Sequence, residues 1–199
     1  MQKKVVSSLE NIFLIAHDEE AKEIGAAKKS DKSLATSLTP STADAMASSL
    51  LHLATENENR GQIVQQRGVQ LLLILREVKT EKEKCAERAT LALARICISI
   101  NPSLFSVGLV YSLVSPFLWL LRKSEHELIT FETLMALTNL AAMNDEELRD
   151  KIITEKGWSE ISYQMTMENP QVQRAALEAL TNLLYSEKAI ARCPNCVFR

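Results

Sequence analysis

The chain has 199 residues, 46% of them hydrophobic and 24% charged, with 23 Lys and Arg against 25 Asp and Glu for a formal net charge of −2. That balance lacks the basic surplus of a nucleic-acid binder, and five Gly and five Pro are too few for a turn-rich all-β protein. No run approaches the roughly 18 apolar residues that cross a bilayer, so neither nucleic acid nor membrane is expected as a partner.

At the N-terminus Lys3 and Lys4 precede Val5 and Val6, but Glu10 interrupts the apolar run and no small-residue cleavage site follows. The pattern is not that of a secretory signal, and a cytoplasmic location is expected. Residues 28–41 are rich in Ser, Thr and Lys with little periodicity and read as the one flexible loop. Thr39-Pro40 marks, one turn early, the start of a helix carrying Ser49-Leu50-Leu51-His52-Leu53. A polar turn leads to a short helix with Arg60-Gly61-Gln62-Ile63-Val64, and Gly68 sits at the next bend.

The mixed charges from Lys79 to Lys84 form a solvated turn, with Thr80 and Glu83 placing the start of the next long helix. Leu113 to Leu121, nine residues with Pro116 inside, reads as a core helix. Ser124 with Glu127 opens the following helix, and Asn144 with Glu147 reads as the cap of a short one. Asn169-Pro170 supplies an N-cap and a proline at the first helical position for a helix over Gln171 to Tyr185. In it Ala176, Leu177, Leu180, Leu183 and Leu184 make one apolar stripe. Cys193 and Cys196 form a lone CxxC without the second pair that zinc requires or the strand and helix of a redox motif.

These elements repeat. Ala136-Leu137-Thr138-Asn139-Leu140 returns 43 residues later as Ala179-Leu180-Thr181-Asn182-Leu183. Looser copies precede it at Ala92-Leu93-Ala94-Arg95-Ile96, at Ser49 to Leu53, and at Ser8-Leu9-Glu10-Asn11-Ile12, giving a period of 41 to 44. The flanks repeat as well: Arg60-Gly61-Gln62-Ile63-Val64 and Gly68 correspond to Arg149-Asp150-Lys151-Ile152-Ile153 and Gly157. A helical period of this length predicts an all-α, right-handed armadillo/HEAT-type solenoid of about four and a half repeats. The array is expected to fill residues 1–190 as an internal piece, truncated at both ends, of a longer one, with 191–199 as an atypical, disordered tail.

No constellation for catalysis, cofactor or metal stands out. His17, His52 and His126 are scattered, and there is no Gly-rich phosphate loop, no G-x-S-x-G and no H-E-x-x-H. Glu146 and Glu147 sit where a helix N-terminus accounts for them. Cys85 and Cys97 flank a helix anchor as small hydrophobes. The expectation is a protein-binding scaffold, not an enzyme.

Stacked units place one residue per long helix in a row along the concave face. The position before the last anchor residue holds Asn11, His52, Arg95, Asn139 and Asn182, all polar. A side-chain amide both donates and accepts, so such a row suits an extended peptide backbone. Helices packed about 8–10 Å apart would give each rung about three residues of a segment rising about 3.3 Å per residue. The alternative is that these amides satisfy carbonyls within their own unit. One turn earlier stand Ser7, Ser48, Leu91, Met135 and Glu178, with Phe131 a further turn back. Met135 and Phe131 are either core or contact. The candidate groove is thus His52, Arg95, Phe131, Met135, Asn139, Glu178 and Asn182.

Two longer motifs carry a family resemblance. Leu91-Ala92-Leu93-Ala94-Arg95-Ile96 followed by Ile98-Ser99-Ile100-Asn101-Pro102, and the run Phe131 to Ala141, resemble the UCS family of myosin-directed chaperones. The stretches Gly61 to Gln66 and Ile152 to Gly157 are similar to it as well, and the likeness covers about residues 45 to 190. It implies an armadillo-repeat groove that binds the myosin motor domain and assists its folding. It implies a ninety-kilodalton heat-shock chaperone as partner only for a longer form carrying a TPR domain. The tail from Ala191 departs from the family pattern, so a truncated, non-functional gene product is one alternative. Another is an armadillo adaptor for a different cytoplasmic protein. Nuclear-import adaptors pair each groove Asn with a Trp one turn earlier, and Ser48, Leu91, Met135 and Glu178 stand at those positions instead.

Overall fold

The computed structural model describes residues 38–80 and 83–192, and every regular element among them is helical. Four long helices, α1 (Pro40–Thr55), α4 (Lys84–Ser99), α6 (Glu127–Ala141) and α9 (Pro170–Leu183), alternate with shorter ones. Between the first two lie α2 (Asn57–Gln65) and α3 (Gly68–Arg76). Between the next two, the short helix shrinks to a 3-10 turn at Pro102–Leu104 and is followed by α5 (Val107–Lys123). Helices α7 (Glu146–Thr154) and α8 (Gly157–Gln164) precede α9, and α10 (Glu187–Arg192) opens another unit. None of these helices is long and apolar enough to cross a membrane. The first anchor, His17, Asn11 and the Cys193-Cys196 pair lie outside the described residues.

Two helix starts follow the local sequence signals. Thr39 caps α1 by accepting from Thr42 N at 3.2 Å, and Asn169 caps α9 by accepting from Gln171 N at 2.8 Å, each with Pro at the first helical position. Helix α9 ends at Leu183, two residues before Tyr185, and Pro40 and Ser41 belong to α1 rather than to a loop.

Three other starts differ from expectation. Asp145, not Asn144, caps α7, its carboxylate accepting from Leu148 N at 2.9 Å. Tyr111 Oη donates to the same carboxylate at 3.0 Å, so a partner 34 residues away supports the choice. Ser124 turns its hydroxyl onto His126, and α6 begins at Glu127 without a side-chain cap. Thr80 accepts from Cys85 N at 3.2 Å, but Glu83, in the left-handed region at φ 55°, occupies the capping position of α4.

Packing explains the anchors. Helix α4 lies between α1 and α6, and α6 packs on α9, so the long helices form one layer of the stack. Ala92, Ala136 and Ala179 are fully buried, and so are Leu93 and Leu183. The small Ala lets neighbouring helices approach while the leucines fill the space between layers. Leu177 breaks the expected stripe at 52% exposed. Its counterpart 43 residues earlier, Leu134, is fully buried in a helix that α9 covers. No further long helix covers α9 among the described residues.

Gly68 and Gly157 have a steric origin. A Cβ on Gly68 would stand 2.7 Å from the Ile63 carbonyl oxygen, and one on Gly157 2.6 Å from that of Ile152. The second helix of each unit thus starts in contact with the Arg-x-x-Ile helix before it. The left-handed backbone falls one residue earlier, on Arg67 (φ 56°) and Lys156 (φ 71°).

Candidate protein-binding face

Because the long helices lie side by side, His52, Arg95, Asn139 and Asn182 form a row near their C-terminal ends. The last carbonyls of any helix lack intrahelical donors. Asn139 supplies two of them across the unit boundary: its Nδ2 donates to Cys97 O at 2.8 Å and to Ile98 O at 3.3 Å, both on α4. Asn182 makes the corresponding cross-unit bond one unit on, donating at 3.2 Å to Thr138 O of α6, a carbonyl that also accepts from Ala142 N at 2.9 Å. The carbonyls belong to the preceding long helix rather than to the amide's own unit. For both residues Oδ1 has no hydrogen-bond partner among the described residues.

Arg95 fills the same register with a different bond set. Its Nε lies 3.1 Å from both Glu132 carboxylate oxygens on α6, and Nη1 donates to Thr55 Oγ1 of α1 at 3.0 Å. One guanidinium therefore ties three long helices together, with both side chains of the ion pair only 17% exposed. His52 is exposed, as is Glu178, while Met135 and Phe131 are half-buried and pack against the core.

The Arg-x-x-Ile repeat is plain in the sequence, but its task is not. Arg60 Nε donates to Ala54 O at 2.7 Å and Nη2 to Thr55 O at 3.2 Å, and Arg149 Nη1 donates to Met143 O at 2.6 Å. Arg60 thus caps the end of α1, whereas Arg149 bonds the turn that follows α6. Arg60 also reaches Ser99 on α4, and burial, then nearby Arg95, pulls its pKa below the usual arginine value. Glu132 and Thr55 escape sequence reasoning altogether, since neither repeats.

At Asn139 the surface opens into a cleft of about 760 Å³, bordered by Ile98, Ser99, Asn101, Met143 and Asp145. It lies where α4 ends in the 3-10 turn, beside the C-terminus of α6. Among the described residues no group of three His, Cys, Asp or Glu could hold a metal ion. Burial pushes the Cys97 thiol up to about 12, and burial, with a smaller effect of Asp44, pushes Cys85 up to about 11.

Stacked units, inter-unit caps and an open polar row define an armadillo-type helical-repeat scaffold. No family model matches the chain. It is 37% identical to protein unc-45 homolog B of Danio rerio over 157 residues, 78% of this chain and 16% of that one. UNC-45 from Drosophila melanogaster superposes with a TM-score of 0.75 at 36% identity, covering 94% of this chain and 23% of that one. The C. elegans UNC-45 myosin chaperone, solved with a Hsp90 peptide, gives a TM-score of 0.70 at 29% identity over 77% of this chain and 17% of that one. The chain is thus a member of the UNC-45 (UCS) family of myosin co-chaperones, matching its armadillo-repeat part. It spans about a sixth of the length of the curated relatives it matches.

Proposed function

We propose that the chain is a non-enzymatic scaffold that holds an extended, partly unfolded segment of the myosin motor domain along its concave face and shields it from aggregation. The observation that carries this reading is the pair of unpartnered Oδ1 atoms on Asn139 and Asn182. Each amide is fixed by the bonds it donates, so its oxygen is a preoriented acceptor for a backbone N–H of a bound segment. Half-buried Met135 and Phe131 lie on the preceding turns of α6 and would meet the apolar side chains of such a segment. The relatives support the choice of client, since the UNC-45 chaperone has molecular features critical for binding and folding muscle myosin.

The test is thermal aggregation of a recombinant myosin motor fragment, followed by light scattering with and without the chain at equimolar ratio. Suppression is expected. A chain with a fully helical circular dichroism spectrum that leaves the aggregation curve unchanged would overturn the proposal.

A further inference from the structure

A second cleft, of about 650 Å³, opens where α5 and α8 end and α6 and α9 begin, at the opposite ends of the long helices from the polar row. That size suits a bound side chain with its flanking backbone. Buried Leu121, Thr130 and Val172 form the floor, and Tyr163, 60% exposed, stands at its side. Glu125, Glu127, Glu160 and Glu168 line it against a single cation, Arg122, which is 3.9 Å from Glu160. Glu127 also accepts from Asn169 Nδ2 at 2.7 Å.

Gln164 lines the same cleft, is only 6% exposed and makes no side-chain hydrogen bond among the described residues. By the 89-residue spacing that relates Gly68 to Gly157, its counterpart is Leu75, which is fully buried. An amide thus stands in the register of a core leucine. The side chain is held in the wall while its amide stays open to the cleft, where a bound ligand would supply its hydrogen bond.

The neighbouring unit shows which chemistry fits. Trp119 of α5 borders the cleft one unit earlier, with the Arg76 guanidinium 5.5 Å and the Lys123 ammonium 5.0 Å from its ring centroid. Those cations in turn pair with Glu77 and Glu83. There the fold supplies its own cation, aromatic and acid. At Tyr163 the aromatic and the acids are present, but no cation lies over the ring among the described residues.

We propose that this cleft binds an arginine side chain from an extended segment of a partner protein. The methylene stem lies on the apolar floor, the guanidinium stacks on Tyr163, and its forked donors meet the surrounding carboxylates and Gln164 Oε1. Arginine suits the site better than lysine because its planar, weakly hydrated fork can stack and bridge several acceptors at once. The proposal is independent of the client assigned to the polar row.

The test is amide NMR on the full chain titrated with a glycyl-arginyl-glycine peptide blocked at both ends. Saturable shifts centred on Glu125, Tyr163 and Glu168 are expected. The citrulline version, which keeps the shape and loses the charge, should bind about ten-fold more weakly. Gln164→Leu installs the residue found at Leu75, so the fold is kept, and it should weaken the arginine peptide several-fold. Tyr163→Ser should weaken it by a comparable factor. Shifts that are absent, that spread over the acidic surface, or that are the same for the citrulline peptide or for Gln164→Leu would overturn the assignment.

Discussion

Asn139 satisfies two carbonyls of the neighbouring unit, so its loss leaves polar groups at the end of α4 without donors. Asn139→Ala is expected to cost about 1–3 kcal/mol, the usual penalty for an unsatisfied buried group. Adding Asn182→Ala should deepen the loss, measured as a lower midpoint in urea. An unchanged midpoint would show that water replaces the amides without penalty, leaving the row to binding alone. The two thiols of α4 behave differently, because burial disfavours their charged form. With Cys97 pushed up to about 12 and Cys85 to about 11, both are protonated at pH 8. They should resist iodoacetamide in the folded chain and react in urea, as read by peptide mass spectrometry. Rapid native labelling of Cys97 would mean that α4 opens on the timescale of the reaction.

At the scale of the element, two classes of glycine separate cleanly. Gly61 lies inside α2 with nothing within 4 Å of the place an added Cβ would take, so Gly61→Ala should stabilise by about 0.5–1 kcal/mol through helix propensity. Gly157→Ala places a methyl against the Ile152 carbonyl and should destabilise by at least about 1–3 kcal/mol, as overpacking does. Thermal melts of the two variants moving in the same direction would contradict this account. The same elements show what the sequence carries. Thr39-Pro40 and Asn169-Pro170 were legible because cap and proline act locally. The choice of Asp145 over Asn144 was not, since both residues can cap and the backbone path together with Tyr111 selects between them. The polar row was legible as a period, but its bonds were not. Asn139 meets Cys97 across 42 residues and Asn182 meets Thr138 across 44, partners that only the stacking defines.

Across the whole molecule, cooperativity depends on what crosses unit boundaries, since a solenoid has only nearest-neighbour interfaces. Most of that coupling here is apolar and comes from the buried faces of the long helices. Among the polar contacts that add to it, Arg95 reaches both neighbouring long helices, bonding Thr55 on one side and Glu132 on the other. Removing one member of a largely buried pair strands its partner's charge, whereas replacing both by apolar groups of similar size need not be destabilising. Arg95→Met is therefore expected to destabilise the chain and to separate the exchange protection of α1 from that of α6, so that the two no longer exchange their amides together. The double variant Arg95→Met, Glu132→Leu should recover much of the lost stability without restoring the bond to Thr55. Hydrogen exchange followed helix by helix distinguishes these outcomes. If α1 and α6 keep matched protection in the single variant, the coupling is carried by the apolar layer, and the arginine serves only to neutralise Glu132.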